Sequence, residues 1–378
     1  MRIAVNTRFL LSSKMEGFGW YTYEIVKRLV ENHPEHEFLF FFDRAYDPKF
    51  VFGENVTPVV LSPQARHPIL FKIWFDVSVR KALKKYKVDL FFSPDGFLSL
   101  KSSVKQVGVI HDINFEHNPE DLPKGARKYL QKYFPKFARK ANHLLTVSEY
   151  SKQDICQTYN IPEDNVTVSW NGVSTIFKPI AESQKRELQE KYSDGNPYLL
   201  FVGALHPRKN VQRLIQAFGQ MKKSDSENPY KLIIVGEELF SKSLSTVSIS
   251  DELRADIRFT GHLNLEELAL LMGGASVFTF VPYFEGFGIP LVEAMRCGTP
   301  ILAGNKTSLP EVAGDAALYC DPFNVDDISE KLIEICGNSE LRIELSQKGL
   351  ERSQLFSWDK SAENVWKVLE AVGLPKND

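Results

Sequence analysis

The stretch ASVFTFVPYFEGFGIPLVEAMRCGTPILAG, residues 275–304, decides how this chain is read. Residues 275–282 are apolar without alternation, the pattern of a strand buried on both faces. Glu285-Gly-Phe-Gly follows as a loop. Pro290 suits the first turn of a helix, where its missing N–H is not needed. Gly298 and Pro300 close that helix, and 300–304 restarts a strand. Strand, loop, helix and parallel strand form a βαβ unit, which implies an α/β architecture.

The same alternation extends in both directions. Residues 2–6, 37–42, 88–92, 104–110 and 143–147 read as strands, with amphipathic stretches at 20–32, 69–86 and 124–141 between them. WNGVSTIFKPI (170–180) interrupts the series with turn formers and a proline. A second set of strands follows at 197–203, 231–236, 256–261, 275–282, 300–304 and 316–320, with helical patterns at 210–222, 264–273 and 290–297. The expectation is two doubly wound domains joined near 173–180, with a ligand cleft at the carboxyl ends of their strands.

Bulk composition narrows the function. The chain has 378 residues, 43% hydrophobic and 25% charged, with net charge −2. That is an ordinary soluble composition with no global field for nucleic acid. Charge is uneven, however: residues 70–140 carry 15 Lys/Arg against 7 Asp/Glu. Cys156, Cys297, Cys320 and Cys336 are dispersed, without CxxC spacing, so reduced thiols and a cytoplasmic location are expected. Asn6, Thr7 and Arg8 interrupt any secretory apolar run, and no stretch has the length of a membrane span. The sequons at Asn165 and Asn305 carry no meaning in that compartment.

The residues that can do chemistry cluster at the ends of the expected strands. The loop amides at Phe287, Gly288 and Ile289, at a helix N-terminus, can donate to sugar hydroxyls or phosphate oxygens. Glu293, eight positions after Glu285, can accept both hydrogen bonds of a ribose diol; alone, it would be read as complementing the helix dipole. In FVGALHPRKNVQRLIQAF (201–218), Arg208 and Lys209 precede a helix expected to be N-capped by Asn210, a combination suited to a diphosphate. No Asp-x-Asp occurs to hold a metal-bound diphosphate, so no metal and no separate cofactor are expected. Gly17 and Gly19 lie in a loop after the first strand; they fail as a dinucleotide fingerprint, since Thr22 stands where the third glycine belongs. They remain a glycine loop for phosphate or acceptor, or a plain strand–helix turn. His111, at the end of a strand, can bond a sugar hydroxyl or stabilise developing charge, or be structural. His111 and His117 lack a third partner for a metal.

Together these motifs resemble the GT-B-fold retaining glycosyltransferases of family 4, particularly bacterial mannosyltransferases. EGFGIPLVEA resembles the Glu-x7-Glu signature, while GALHPRKN, TVSEYSK (146–152), WNGV (170–173), RFTGHL (258–263) and LFSWDKSA (355–362) match further segments in order. The resemblance implies two Rossmann-like domains facing a central cleft: 1–175 plus 357–378 on the acceptor side, and 176–356 for the nucleotide sugar. A C-terminal helix would cross back to the first. It further implies that Arg208 and Lys209 hold the donor diphosphate, Glu293 the ribose, and Glu285, Gly286, Phe287, Gly288, Ile289 and Val292 the rest of the donor. His111 would touch the sugar, Gly17 and Gly19 the diphosphate or acceptor, and His262 and Leu263 the region of the base. The leaving phosphate would take the acceptor's proton on the face it departs from.

The implied activity is transfer of a hexose to a glycan or lipid-linked acceptor in cell-surface polysaccharide or lipopolysaccharide synthesis. GDP-mannose is the expected donor, with UDP-glucose and other nucleotide hexoses as alternatives. Rival readings are a sugar-nucleotide epimerase or hydrolase on the same frame, and a non-catalytic sugar-nucleotide-binding module. The basic stretches 71–87 and 124–143 mix cations with aromatic and aliphatic residues, which suggests peripheral contact with the inner face of a membrane.

Overall fold

The computed structural model describes residues 1–12, 15, 17–225, 227–237 and 250–374. The chain divides into two compact units: Met1–Asn171 together with the segment from Ser357, and Gly172–Phe356.

The first unit is a seven-stranded sheet of β1 (Arg2–Asn6), β2 (Glu37–Phe42), β3 (Val56–Val60), β4 (Leu90–Ser93), β5 (Lys105–Val109), β6 (His143–Thr146) and β7 (Val166–Val168). All pairings are parallel, in the order β3-β2-β1-β4-β5-β6-β7. Unbroken apolar runs such as EFLFFF exist because helices cover both faces. Strands β3 and β7 were not expected from sequence, and both are edge strands. Pro58 in β3 cannot donate to a ladder and is tolerated at an edge, while β7 has only three residues.

The helix Gly17–Asn32 buries Tyr21, Ile25, Val26, Leu29 and Val30 along one stripe. Against it lies the C-terminal helix Trp358–Gly373, whose first amides at Asp359 and Lys360 donate to the Ser357 hydroxyl. Arg28 Nε donates to Asp359 Oδ1 at 2.6 Å, and the Trp366 ring stacks on His33 at 3.6 Å. The last segment is therefore integral to the first unit.

The basic stretch 124–143 forms the helix Lys124–Lys140, but Tyr129, Phe134 and Phe137 are buried in the core. Its outward face is cationic, carrying Lys124, Lys128, Lys132, Lys136 and Arg139. Its aromatics therefore belong to the core, and only its cationic face is open to an anionic surface. The other basic stretch differs. Helix Pro68–Ile73 widens to a π-helical turn over Trp74–Val79 and continues as Arg80–Lys85. It buries Trp74, Phe75, Val79 and Leu83 while leaving Ile69, Ile73 and Val77 exposed.

The second unit holds β8 (Tyr198–Val202), β9 (Lys231–Val235), β10 (Ile257–Gly261), β11 (Val277–Phe280), β12 (Ile301–Gly304) and β13 (Ala317–Cys320). The order β10-β9-β8-β11-β12-β13 is again all parallel and reverses between β8 and β11. Loops leaving the carboxyl ends of strands at such a reversal diverge and leave a crevice. The four cysteines are buried free thiols. Among the described residues, no helix is long and apolar enough to cross a membrane.

Candidate active site

The strand reversal brings Arg208 and Lys209, which follow β8, onto Glu285, which follows β11. Pro207–Lys209 forms a single 3-10 turn, with the Arg208 amide donating to His206 Nδ1 at 3.4 Å. Lys209 Nζ lies 2.6 Å from Glu285 Oε1, and the Arg208 guanidinium lies 3.2 Å from the same oxygen. Arg208 Nη1 also donates to the Phe284 carbonyl, and Lys209 Nζ sits 5.0 Å from the Phe280 ring centre. Glu285 is only 6% exposed. Burial pushes its carboxyl up, but Arg208 and Lys209 more than offset this and hold it below the ordinary carboxylate value. Two half-buried cations thus meet one buried carboxylate.

Glu285 is clamped through its backbone as well. Its amide donates to Thr307 Oγ1 at 3.1 Å, and Ser308 Oγ donates to its carbonyl at 2.9 Å. Sequence reasoning missed Thr307 and Ser308; the only signal was the polar run NKTS between an apolar strand and Pro310.

After Glu285 the chain passes Gly286 and the buried Phe287, which packs edge-on against Phe356. Gly288 adopts φ 95°, and a Cβ there would sit 3.0 Å from Leu309. The helix Ile289–Cys297 then starts with Pro290 in its first turn and ends at the left-handed Gly298, as the sequence suggested. The amides of Phe287, Gly288 and Ile289 have no acceptor among the described residues. They stand as open donors at the positive end of a helix, close in sequence to the cationic corner.

Glu293 projects from the same helix. Its carboxylate has no hydrogen-bond or ion-pair partner among the described residues, and burial pushes its pKa up to about 7. The two glutamates of the motif thus have opposite environments: one is satisfied by cations, the other waits for donors. Val292, which the resemblance places with the donor, is fully buried. His262 and Leu263 follow β10, the outermost strand, and no hydrogen bond or ring contact joins them to the Glu285 cluster among the described residues.

Asn210 departs from the expected N-cap. Its backbone is left-handed, with φ 61° and ψ 25°, and its side chain makes no cap bond. Instead Nδ2 donates to the carbonyls of Val281 at 2.9 Å and Pro322 at 2.7 Å. The amide side chain ties loops together because three loop ends converge on it.

His111, Gly17 and Gly19 belong to the first unit. His111 follows β5, and its Nε2 donates to the Pro94 carbonyl at 2.8 Å. Burial lowers its pKa, so the ring is held neutral, with Nδ1 as its acceptor. This favours accepting a hydroxyl's hydrogen bond over stabilising charge. Ser151 Oγ donates to the His111 carbonyl at 3.0 Å, which gives the TVSEYSK segment a physical role. The ring of Phe18, between the two glycines, lies 4.9 Å from that of His111. Gly19 is required, since a Cβ would meet the Phe9 carbonyl oxygen at 2.8 Å, whereas Gly17 is unconstrained. Ser13, Lys14 and Glu16 of that loop lie outside the described residues. Also unforeseen is Arg8, 5% exposed, whose Nε donates to Asp95 Oδ2 at 2.7 Å and whose guanidinium lies 4.3 Å from the Phe97 ring centre.

Among the described residues, no group of three or more His, Cys, Asp or Glu is placed to hold a metal ion. Among the described residues, the second unit offers two half-buried cations on a buried carboxylate, open helix amides and a second carboxylate without a partner. Such a set can bind a phosphorylated, diol-bearing molecule and stabilise charge growing on its phosphate.

The family described as Glycosyltransferase Family 4 matches residues 15–177, and the family described as Glycosyl transferases group 1 matches residues 183–352. The chain is 29% identical over 370 residues to O-antigen chain mannosyltransferase B of Escherichia coli, covering 94% of this chain and 97% of that one. Its fold resembles the sucrose-phosphate synthase of Thermosynechococcus elongatus, with TM-score 0.78, 17% identity and 98% of each chain covered. It also resembles WaaG, a glycosyltransferase involved in lipopolysaccharide biosynthesis, with TM-score 0.77, 16% identity, and 98% of this chain and 99% of that one covered. Two parallel-sheet units, matched in chain order by these two glycosyltransferase families, place this chain among the GT-B-fold glycosyltransferases of family 4 and group 1.

Proposed function

We propose that this glycosyltransferase is a retaining, metal-independent hexosyltransferase that moves mannose from GDP-mannose to a glycan or lipid-linked acceptor of the cell surface. The observation that carries the reading is the Arg208–Lys209–Glu285 corner beside open helix amides. The mannosyl donor is supported by the similarity to an O-antigen chain mannosyltransferase over nearly the whole length of both chains.

In this reading the donor diphosphate sits against Arg208, Lys209 and the amides of Phe287 to Ile289. Glu293 accepts the ribose diol, and Glu285 orients the two cations at the edge of the hexose. As the bond from the anomeric carbon to the phosphate oxygen breaks, the electron pair leaves with the nucleoside diphosphate. Fixed cations stabilise that growing charge more than they stabilise the ground state, which is the source of rate. The hexose passes through an oxocarbenium-like state. The acceptor oxygen bonds the anomeric carbon on the face just vacated, and its proton passes to the leaving phosphate. Glu285, held low by two cations, is a poor base and a poor nucleophile, which favours the phosphate in that role. His111, with Nε2–H committed to Pro94, accepts a bond from a sugar hydroxyl. Two protein cations supply the neutralisation that a divalent ion supplies in other transferases.

We place the reaction in the cytoplasm at the inner face of the membrane, with the helical segment 68–85 as the contact. Its exposed residues are Ile69, Ile73 and Val77 together with Lys72, Arg80, Lys81, Lys84 and Lys85, a mixture of apolar and cationic groups suited to an anionic bilayer.

The test is transfer of labelled mannose from GDP-mannose to a membrane lipid extract in the presence of EDTA, with UDP-glucose as the competing donor. Transfer is expected to persist in EDTA and to fall at least about 100-fold in the Arg208→Ala/Lys209→Ala double variant. Wild-type rates in that variant would remove the proposal.

A further inference from the structure

Three loops of the second unit are tied into a closed circuit around Arg208, outside the groups that would touch a donor. Asn210, 4% exposed, donates from Nδ2 to Val281 in the loop after β11 and to Pro322 in the loop after β13. Its Oδ1 accepts from Arg213 Nη1 at 2.8 Å. The Arg213 guanidinium lies 5.5 Å from the centre of the Phe323 ring. Phe323 in turn stacks on Tyr283, with centres 5.7 Å apart and planes 25° from parallel. The Tyr283 amide closes the circuit by donating to the Arg208 carbonyl at 3.1 Å.

Two features mark this circuit as more than packing. Phe323 is 54% exposed, an unfavourable place for a phenyl ring that only fills space. Asn210 holds a left-handed backbone, which costs a residue bearing a Cβ unless something fixes it. Here its own side chain fixes it, by three hydrogen bonds to three different segments. The turn that presents Arg208 and Lys209 is too short to hold itself: a single 3-10 turn has little rigidity. Besides the contacts with His206, Phe284 and Glu285, its direction is constrained by the residue that follows it, Asn210, and by the carbonyl of Arg208 held by Tyr283.

We propose that Asn210 and the Arg213–Phe323–Tyr283 stack are positioning residues that hold Arg208 and Lys209 in register for the donor's diphosphate. Neither Asn210 nor Phe323 touches the reacting atoms; both act through the turn. The inference rests on the assignment of that turn to the diphosphate, and the test separates the two.

GDP is titrated calorimetrically into the wild-type protein and into Phe323→Ala, Phe323→Tyr, Asn210→Asp and the Arg208→Ala/Lys209→Ala double variant, and KM for GDP-mannose and melting temperature are measured alongside. Phe323→Ala removes an exposed ring, so the melting temperature is expected to stay within about 2 °C of wild type. Its affinity for GDP is expected to fall about tenfold, with a matching rise in KM and restoration in Phe323→Tyr, because small misplacements of charged donors are costly. Asn210→Asp sets a carboxylate against two carbonyls and is expected to lose more; should it fail to fold, Phe323→Ala still decides. Wild-type GDP affinity in Phe323→Ala, with the double variant weakened, overturns the positioning role alone. Wild-type affinity in the double variant overturns the diphosphate assignment beneath it.

Discussion

Glu285 and Glu293 are the same residue type eight positions apart, and their surroundings give them opposite chemistry. Glu285 meets two cations and stays ionised, while Glu293 meets no partner among the described residues and has its pKa pushed up to about 7. The folded state therefore binds the Glu293 proton more tightly than the unfolded chain, whose value is near 4.5. Stability from this group is fully present below pH 4.5 and is lost as pH rises through about 7. Glu293→Gln is thus expected to stabilise the donor-free protein at pH 8 by about 1–3 kcal/mol, seen as a raised melting temperature, with little effect at pH 4.5. In the wild type, affinity for the nucleoside diphosphate should strengthen as pH rises through 7, because only the carboxylate accepts both hydrogens of a diol. Calorimetry across pH 6–8 checks this, and a flat profile would mean that Glu293 does not face the ribose. The motif and its spacing could be read from the chain, but the partners of each carboxylate could not. Arg208 and Thr307, which surround Glu285, come from other loops, and no local pattern announces a contact made across strands.

At the level of elements, apolar periodicity located most strands and the site helix, because strands covered on both faces are continuous apolar runs. It failed at β3 and β7, where an edge position relaxes the demand for apolar side chains and admits Pro58. It also failed to say which face of an amphipathic helix is buried. The aromatic stripe of Lys124–Lys140 turns inward, whereas the segment beginning at Pro68 leaves Ile69, Ile73 and Val77 outside. We expect sedimentation with phosphatidylglycerol vesicles at low salt to capture the protein, and phosphatidylcholine vesicles to leave it in solution. The triple variant Ile69→Ser/Ile73→Ser/Val77→Ser should lose most of that binding, since each buried aliphatic side chain is worth about 1.5–3 kcal/mol. Equal capture of wild type and triple variant would refute the contact, and sugar transfer to a soluble acceptor should be unaffected by the change.

For the whole molecule, the C-terminal helix is the clearest case of distant sequence made local. Trp358, Val365, Trp366 and Leu369 are nearly fully buried, and Arg28 and His33 contact the helix from the opposite end of the chain. A chain ending at Phe356 would expose these partners, a loss of about 6–12 kcal/mol that rivals the stability of an ordinary domain. Such a truncation is expected to abolish the cooperative unfolding of the first unit, and circular dichroism showing an unchanged melting transition would refute this. The α/β class, the two doubly wound halves, the family and the residues able to carry charge are legible along the chain, because periodicity and loop motifs are properties of neighbouring positions. That Glu285 serves its cations, that Asn210 ties three loops instead of capping a helix, and that Glu293 has no partner among the described residues emerge only from the folded chain. These depend on which strand ends lie side by side, and strand order in a parallel sheet is set by crossovers between segments far apart in the chain.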